Sequence, residues 1–253
     1  MPAKTESKKA PAGKMPIMRH LVELRNRIFK SVIAIIIGTV IGFIFAPQII
    51  QFLKAPAGNI DLVFIELLEN MVNYFKVSLT AGIVIAMPFL VYQLFAFASP
   101  ALTIKERKYI YVILPAVMIM FLAGVAFAYF VALPPALNFL LYGFGTDIAE
   151  PQIRIGNYIT IVTRMLVAIG IIFETPVIIM FLARLGVVTP KWLAARRKLW
   201  VVLAFVIAAI ITPTFDPINQ SIIAIPLIVL LELSILLAKL VYKKRGEPPA
   251  TEA

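Results

Sequence analysis

Acids are scarce in this 253-residue chain: 13 Asp and Glu stand against 24 Lys and Arg. A few of them occupy positions where a carboxylate could do chemistry. Glu23 lies in Arg19-His20-Leu21-Val22-Glu23-Leu24-Arg25-Asn26-Arg27. In a helix, Ile17, Leu21, Leu24 and Ile28 share one face, while Arg19, Glu23 and Arg27 follow one another at i, i+4 and i+8 on another. That pattern reads either as an interfacial helix with a solvated charge ladder or as a carboxylate offered to a cationic partner at a membrane surface. His20 reads as a packed interfacial residue. Glu106 is the single acid beside Lys105, Arg107 and Lys108. It completes a capping box with Thr103, a structural duty that competes with a binding one.

Two further acids interrupt apolar runs. Glu174 sits in Phe173-Glu174-Thr175-Pro176 and Glu232 in Leu231-Glu232-Leu233. An ionisable side chain inside a membrane span costs about 2.5–3.5 kcal/mol on insertion scales and is normally kept for a cavity or a partner. Pro176 has no N–H to give to the carbonyl of Ile172, so the helix is expected to bend beside Glu174. Arg164 is about 15 Å away along a regular helix, too far to pair with Glu174. Glu232 reads equally well as functional or as a group hydrated in a thin stretch of bilayer. Asp216, before Pro217, has the N-cap signature first.

Other chemistries are excluded. The chain has no Cys and one His, so disulfides, thiolate or multi-His metal sites and a Cys nucleophile cannot be built. No H-E-x-x-H or G-x-S-x-G occurs, leaving no nucleophile–base pair, and no catalytic residue, metal or cofactor is expected. Glu174, Arg164 and Glu232 would suit a secondary transporter of a small solute or ion, but no inverted repeat or clear pair of broken helices accompanies them.

The elements that must position these groups are membrane helices. Hydrophobic residues make up 61% of the chain and charged ones 15%, with mean hydropathy +0.95; a soluble domain averages roughly 45–50% and about 25%. Six apolar segments emerge, at 29–46, 77–98, 109–133, 159–183, 199–211 and 222–238. The first four can span a bilayer, which takes about 20 residues. The last two are short; they either span where the bilayer thins or flanks snorkel, or form one re-entrant hairpin. Thr189-Pro190 and Asp216-Pro217 are helix-start signals that favour two separate helices, the first leading from Pro190 into the fifth segment. The first segment is too long for a signal-peptide core and reads as an uncleaved anchor. Residues 1–16 are expected to be a disordered tail, 17–242 the membrane domain, and 243–253 a second tail. Gly38 and Gly42 form a G-x-x-x-G that permits close helix contact, and Pro88, Pro115 and Pro226 predict bends.

The net charge of +11 raises the possibility of nucleic acid, yet its distribution is that of a topology signal. If sides alternate after each of six spans, twenty of the 24 basic residues fall on one side. The other side has Lys54, Lys76 and Arg154, and Arg164 lies in a span. The positive-inside rule then puts both termini in the cytoplasm. A five-span chain would move Lys239, Lys243, Lys244 and Arg245 outside and spoil the pattern. No nucleic-acid-reading motif is present.

The residues that carry a family resemblance are spread along the chain: His20-Leu21-Val22-Glu23-Leu24-Arg25-Asn26-Arg27; Tyr92-Gln93 to Phe97, Pro100-Ala101-Leu102 and Lys105-Glu106-Arg107; Ala126-Phe127-Ala128-Tyr129-Phe130 and Phe173-Glu174-Thr175-Pro176; and Thr212-Pro213, Asp216-Pro217, Gln220, Ala224-Ile225-Pro226 and Glu232. Their order and spacing resemble the TatC family, the multispanning core of the twin-arginine protein translocase, from about residue 17 to 242. The resemblance implies an all-α polytopic fold of six transmembrane helices in a concave bundle with two short final helices. It implies recognition of folded precursors through twin-arginine signal peptides, and assembly with the single-span subunits TatA and TatB into an oligomeric, proton-motive-force-driven complex among the lipids of a prokaryotic inner membrane.

By the same resemblance, Glu23, Glu106, Phe97 and Arg25 are the expected signal-binding residues. Glu174, Glu232 and Gln93 are expected as intramembrane polar or partner contacts, and Asp216, Gln220 and Glu69 as outer-loop structural or partner contacts. Where the family often has Ser/Thr-Pro-x-Glu, this chain has Glu66-Leu67-Leu68-Glu69, keeping the Glu and losing the Pro. Carboxylates suit the task, because guanidiniums prefer planar bidentate acceptors.

Overall fold

The computed structural model describes residues 17–58, 62–98, 104–143, 153–214 and 216–242, with side chains left out at 17, 19, 20, 57, 98, 104–112, 141 and 142. The tails at 1–16 and 243–253, and Thr103 of the capping box, lie outside the described residues.

Helix α1 (Ile17–Ile44) runs without a break from the charge ladder into the first apolar segment. It is followed by α2 (Ala46–Lys54), with Pro47 in its first turn, and a 3-10 turn at Ala55–Ala57. Helix α3 (Glu69–Ala98) returns antiparallel along α1. The G-x-x-x-G of α1 explains how closely the two pack. A Cβ at Gly38 would meet the Gly82 carbonyl oxygen at 2.7 Å, and one at Gly42 would meet that of Ser78 at 2.8 Å. Both obstacles are backbone, so only glycine permits this approach.

Helix α4 (Ile104–Phe127) passes through a π-helical turn, Ala128–Ala132, into α5 (Leu133–Tyr142). Pro134 and Pro135 follow that turn at once. Neither can donate to the carbonyl four residues back, and the wider turn accommodates both losses. Tyr129, within the turn, stacks on Phe52 at 4.3 Å between ring centroids and donates its hydroxyl to the Phe52 carbonyl at 2.7 Å. The Tyr158 hydroxyl donates to Leu53 O at 2.6 Å. Two tyrosines thus add side-chain donors to carbonyls at the end of α2, and that of Phe52 also accepts from the Ala55 amide.

The fourth segment is two helices, α6 (Ile155–Phe173) and α7 (Thr175–Arg184), parted at Glu174. The helix is interrupted beside Pro176, and the Ile172 carbonyl that Pro176 cannot serve accepts a 2.6 Å hydrogen bond from the Thr175 hydroxyl. Helix α8 (Pro190–Ala195) starts at the Thr189 cap, whose hydroxyl accepts from Trp192 N at 3.2 Å. It does not lead continuously into the fifth segment, as the sequence suggested. The chain turns at Arg196 (φ −106°, ψ 19°) before α9 (Arg197–Ile211) begins. Helix α10 (Pro217–Val241) is longer than its apolar part.

Among the described residues, Leu21–Ile44, Glu69–Phe97, Ile113–Leu140, Ile155–Arg184 and Pro217–Val241 are long and apolar enough to cross a membrane. Helix α9, with 15 residues, reaches about 22 Å against a hydrocarbon core of about 30 Å. Charged and polar contacts mark both its ends. Arg197 pairs with Glu232 at the start, and Arg164 Nη2 donates to the Ile210 carbonyl at 2.6 Å near the finish.

The core centres on α6, where Ile159, Val162, Met165 and Ile169 are fully buried. In the most apolar window of the first span 11% of the residues are buried, against 50% in the fourth, so α1 lies at the periphery with most of its surface free for lipid. The sequence offered no sign of strand, yet Leu62–Val63 (β1) and Ile153–Arg154 (β2) form a two-residue parallel ladder joining two loops at one end of the bundle.

Candidate functional site

Antiparallel packing of α1 on α3 brings the start of α1 to the end of α3. Arg27 joins the two. Its Nε and Nη2 donate to Glu23 Oε1 at 3.0 and 2.6 Å, and its Nη1 donates to Gln93 Oε1 at 3.1 Å. The Glu23 and Arg27 side chains each retain 22% exposure, whereas Gln93 is buried. Phe97 stands one helical turn beyond Gln93 on the same face of α3. Arg25 is exposed on α1. Glu106 lies in the first turn of α4, which begins a few residues after α3 ends, so its backbone is at the same end of the bundle as Glu23; its side chain lies outside the described residues. The structure thus gathers Glu23, Gln93 and Phe97 at one end and places Gln93 with Glu23 rather than with Glu174.

Glu174 is fully buried at the α6–α7 break. The Phe121 amide approaches it but completes no hydrogen bond, and neither carboxyl oxygen has a partner. Glu232 is not isolated. It forms a two-point pair with Arg197, Nε to Oε1 and Nη2 to Oε2, both at 2.8 Å, with about half of each side chain exposed.

At the opposite end, Glu69 is buried and heavily bonded. Its Oε1 accepts from Gly156 N at 2.8 Å and Arg154 Nε at 3.0 Å, and its Oε2 accepts from Ile65 N and Glu66 N at 3.1 and 3.3 Å. Arg154 also pairs with Glu66 at 2.7 Å, and the two carboxylates, Glu69 first, raise the guanidinium above its ordinary value. Glu69 therefore ties the loop before α3 to the start of α6, next to the β1–β2 ladder. Asp216 caps α10, accepting from Asn219 N at 2.7 Å and Asn219 Nδ2 at 3.0 Å. Burial opposes its charge, but hydrogen bonds led by the Asn219 amide hold its carboxyl below the usual carboxylate range. Gln220 Nε2 reaches across to the Phe205 carbonyl of α9 at 2.8 Å.

A family model described as Sec-independent protein translocase protein (TatC) matches residues 19–226, which takes in both ends of the bundle and the α6–α7 break. The chain belongs to the TatC family. Curated TatC proteins of Aquifex aeolicus and Carboxydothermus hydrogenoformans are similar to it. The first is 41% identical over 92% of this chain and 98% of its own length, the second 38% over 91% and 95%. A solved structure described as the twin arginine translocase receptor TatC is 41% identical and superimposes with a TM-score of 0.76, covering 88% of this chain and 100% of that one. The protein is a multi-pass membrane subunit of the twin-arginine protein translocase, and nothing in these likenesses favours a small-solute transporter.

Sequence reasoning missed several contributors to these TatC sites. Arg27 was legible only as one rung of a ladder, although its i+4 spacing from Glu23 is the spacing of a helical ion pair. In sequence Arg197 reads as a topology charge, and its partner Glu232 lies on another helix. Gly156 gave no signal. A Cβ there would sit 2.7 Å from Glu69 Oε1, so glycine is what lets the carboxylate reach the backbone.

Proposed function

We propose that this chain receives the twin-arginine signal peptides of folded precursor proteins at its cytoplasmic face, with Glu23 and Glu106 accepting the guanidiniums beside Phe97 and Arg25. The observation that carries this reading is the Glu23 carboxylate itself. It already accepts two N–H groups of a guanidinium at 2.6 and 3.0 Å while remaining partly exposed. The chemistry asked of it toward a signal arginine is therefore chemistry its surroundings permit. Glu106 belongs to the same end of the bundle by backbone placement.

In this reading the basic face is cytoplasmic, both termini lie there, and the membrane is the inner membrane of a prokaryote. Residues 17–242 form the membrane domain, between tails at 1–16 and 243–253. TatA- and TatB-type single-span subunits complete an oligomer whose transport is driven by the proton-motive force. Glu69, Asp216 and Gln220 set the outer loops, Glu69 and Gln220 by bonds between elements and Asp216 by capping α10. Glu232 contributes a polar contact within the bundle, and Glu174 is kept for a partner. No catalytic step is assigned to the chain.

The test is photocrosslinking from a probe beside the arginine pair of a signal peptide to the full chain in membranes. Glu23→Gln and Glu106→Gln are each expected to remove the crosslink while membrane insertion stays normal. Undiminished crosslinking in both variants would overturn the proposal.

A further inference from the structure

The carboxylate assigned to the signal is not free. Arg27 occupies Oε1 of Glu23 with two of its N–H groups and holds Gln93 Oε1 with a third. Among the described residues, Oε2 of Glu23 accepts no hydrogen bond. An arriving guanidinium can therefore touch Oε2 first, but a two-oxygen fork, the arrangement that guanidinium and carboxylate favour, requires Arg27 to give up Oε1.

We propose that Arg27 determines the specificity of the site: it is an internal guanidinium that a signal arginine must displace from Glu23. This inference rests on the receptor reading above and goes beyond it. The geometry provides for the exchange. Gln93 is buried and fixed on α3, so an Arg27 released by Glu23 keeps one acceptor, at 3.1 Å, and stays within the site. Repulsion from the incoming cation pushes it the same way. The net charge around Glu23 differs between resting and bound states by the arriving charge alone.

The consequence is discrimination by difference. A signal arginine offers the same planar fork as Arg27 and can replace it bond for bond. A signal lysine is a compact point charge whose three N–H groups lack the planar, parallel fork that matches a carboxylate. Against an empty carboxylate it would bind respectably. Against one already held by a guanidinium it must break two hydrogen bonds and replaces them with less well aligned ones. Rejection of lysine then comes largely from the resident competitor, not from poor contacts to the site.

The test uses the full chain in nanodiscs and measures Kd for two signal peptides differing only in Arg-Arg or Lys-Lys. In Arg27→Leu the Lys-Lys peptide gains affinity more than the Arg-Arg peptide, and their affinity ratio falls about tenfold, the scale of one charge-assisted hydrogen bond. Arg27→Lys, which keeps the charge and loses the fork, gives a smaller fall in the same direction. That variant decides the matter if Arg27→Leu does not yield a monodisperse protein. An unchanged ratio, or equal loss of both peptides, overturns the inference. Glu23→Gln separates the two claims. If it weakens Arg-Arg binding while the ratio ignores Arg27, the receptor reading stands and the inference falls. If it leaves Arg-Arg binding intact, the receptor reading falls and takes the inference with it.

Discussion

Glu174 allows a prediction whose sign is as informative as its size. Its side chain is fully buried, and neither oxygen finds a partner. A buried polar group left without a hydrogen bond costs about 1–3 kcal/mol. Glu174→Met keeps much of the volume and removes the polar atoms, so the isolated protein in detergent should gain a similar amount. For chains of roughly 150–250 residues, about 1 kcal/mol moves Tm by about 2–4 °C, so the expected rise is roughly 2–12 °C. Glu174→Gln keeps an unsatisfied polar head and should stay near the parent. Differential scanning fluorimetry of the three purified proteins in one detergent reads the effect. A fall in Tm for Glu174→Met would show that the carboxyl is paired and stabilising in the isolated chain, refuting the reasoning.

Gly38→Ala forces a methyl onto the Gly82 carbonyl and should destabilise the α1–α3 pair by about 1–3 kcal/mol, the range for overpacking, measured as lower Tm; because the chain has no Cys, an engineered Cys pair across α1 and α3 reports the same separation as slower disulfide formation. Gly156→Ala should displace the Glu69 carboxylate and free the ends of β1 and β2, seen as faster protease cleavage of the outer loops, with wild-type rates counting against it. Asp216→Ala should cost about 1 kcal/mol through loss of the α10 cap. Since the Asp216 carboxyl is held below its ordinary value, the cap's contribution is present at neutral pH and lost as pH falls through the carboxylate range; the Tm difference between parent and Asp216→Ala should therefore narrow on acidification.

Much of this fold was legible because membrane helices announce themselves locally. Apolar runs gave the spans, Pro176 gave the α6–α7 break, and Thr189 and Asp216 gave caps that the structure contains. Boundaries were less legible. Hydropathy starts the second span at 77, but α3 begins at Glu69, since helix geometry continues through the polar residues Asn70, Asn73 and Lys76 that a hydrophobic window rejects. The fifth segment looked like the continuation of a helix from Pro190, yet the turn at Arg196 separates them, and no strong breaker in Ala194-Ala195-Arg196 foretold it. Long-range partners were not legible at all. Arg197 with Glu232, Arg154 with Glu69, and the two tyrosines on α2 join residues 35 to 105 positions apart, and only packing decides such meetings. At the candidate site the sequence supplied the carboxylates and the aromatic. It did not reveal that Glu23 is already engaged, because whether a ladder residue bonds its neighbour or water depends on what α3 places beside it.

Whether Glu23 binds a signal arginine is read from the Kd of an Arg-Arg signal peptide for the full chain in nanodiscs, parent against Glu23→Gln. Losing one charge-assisted acceptor should weaken binding by about 1.5–3 kcal/mol, or roughly 10- to 150-fold, with monodispersity and Tm little changed. Equal affinity in the two proteins would show that Glu23 does not hold the signal arginine.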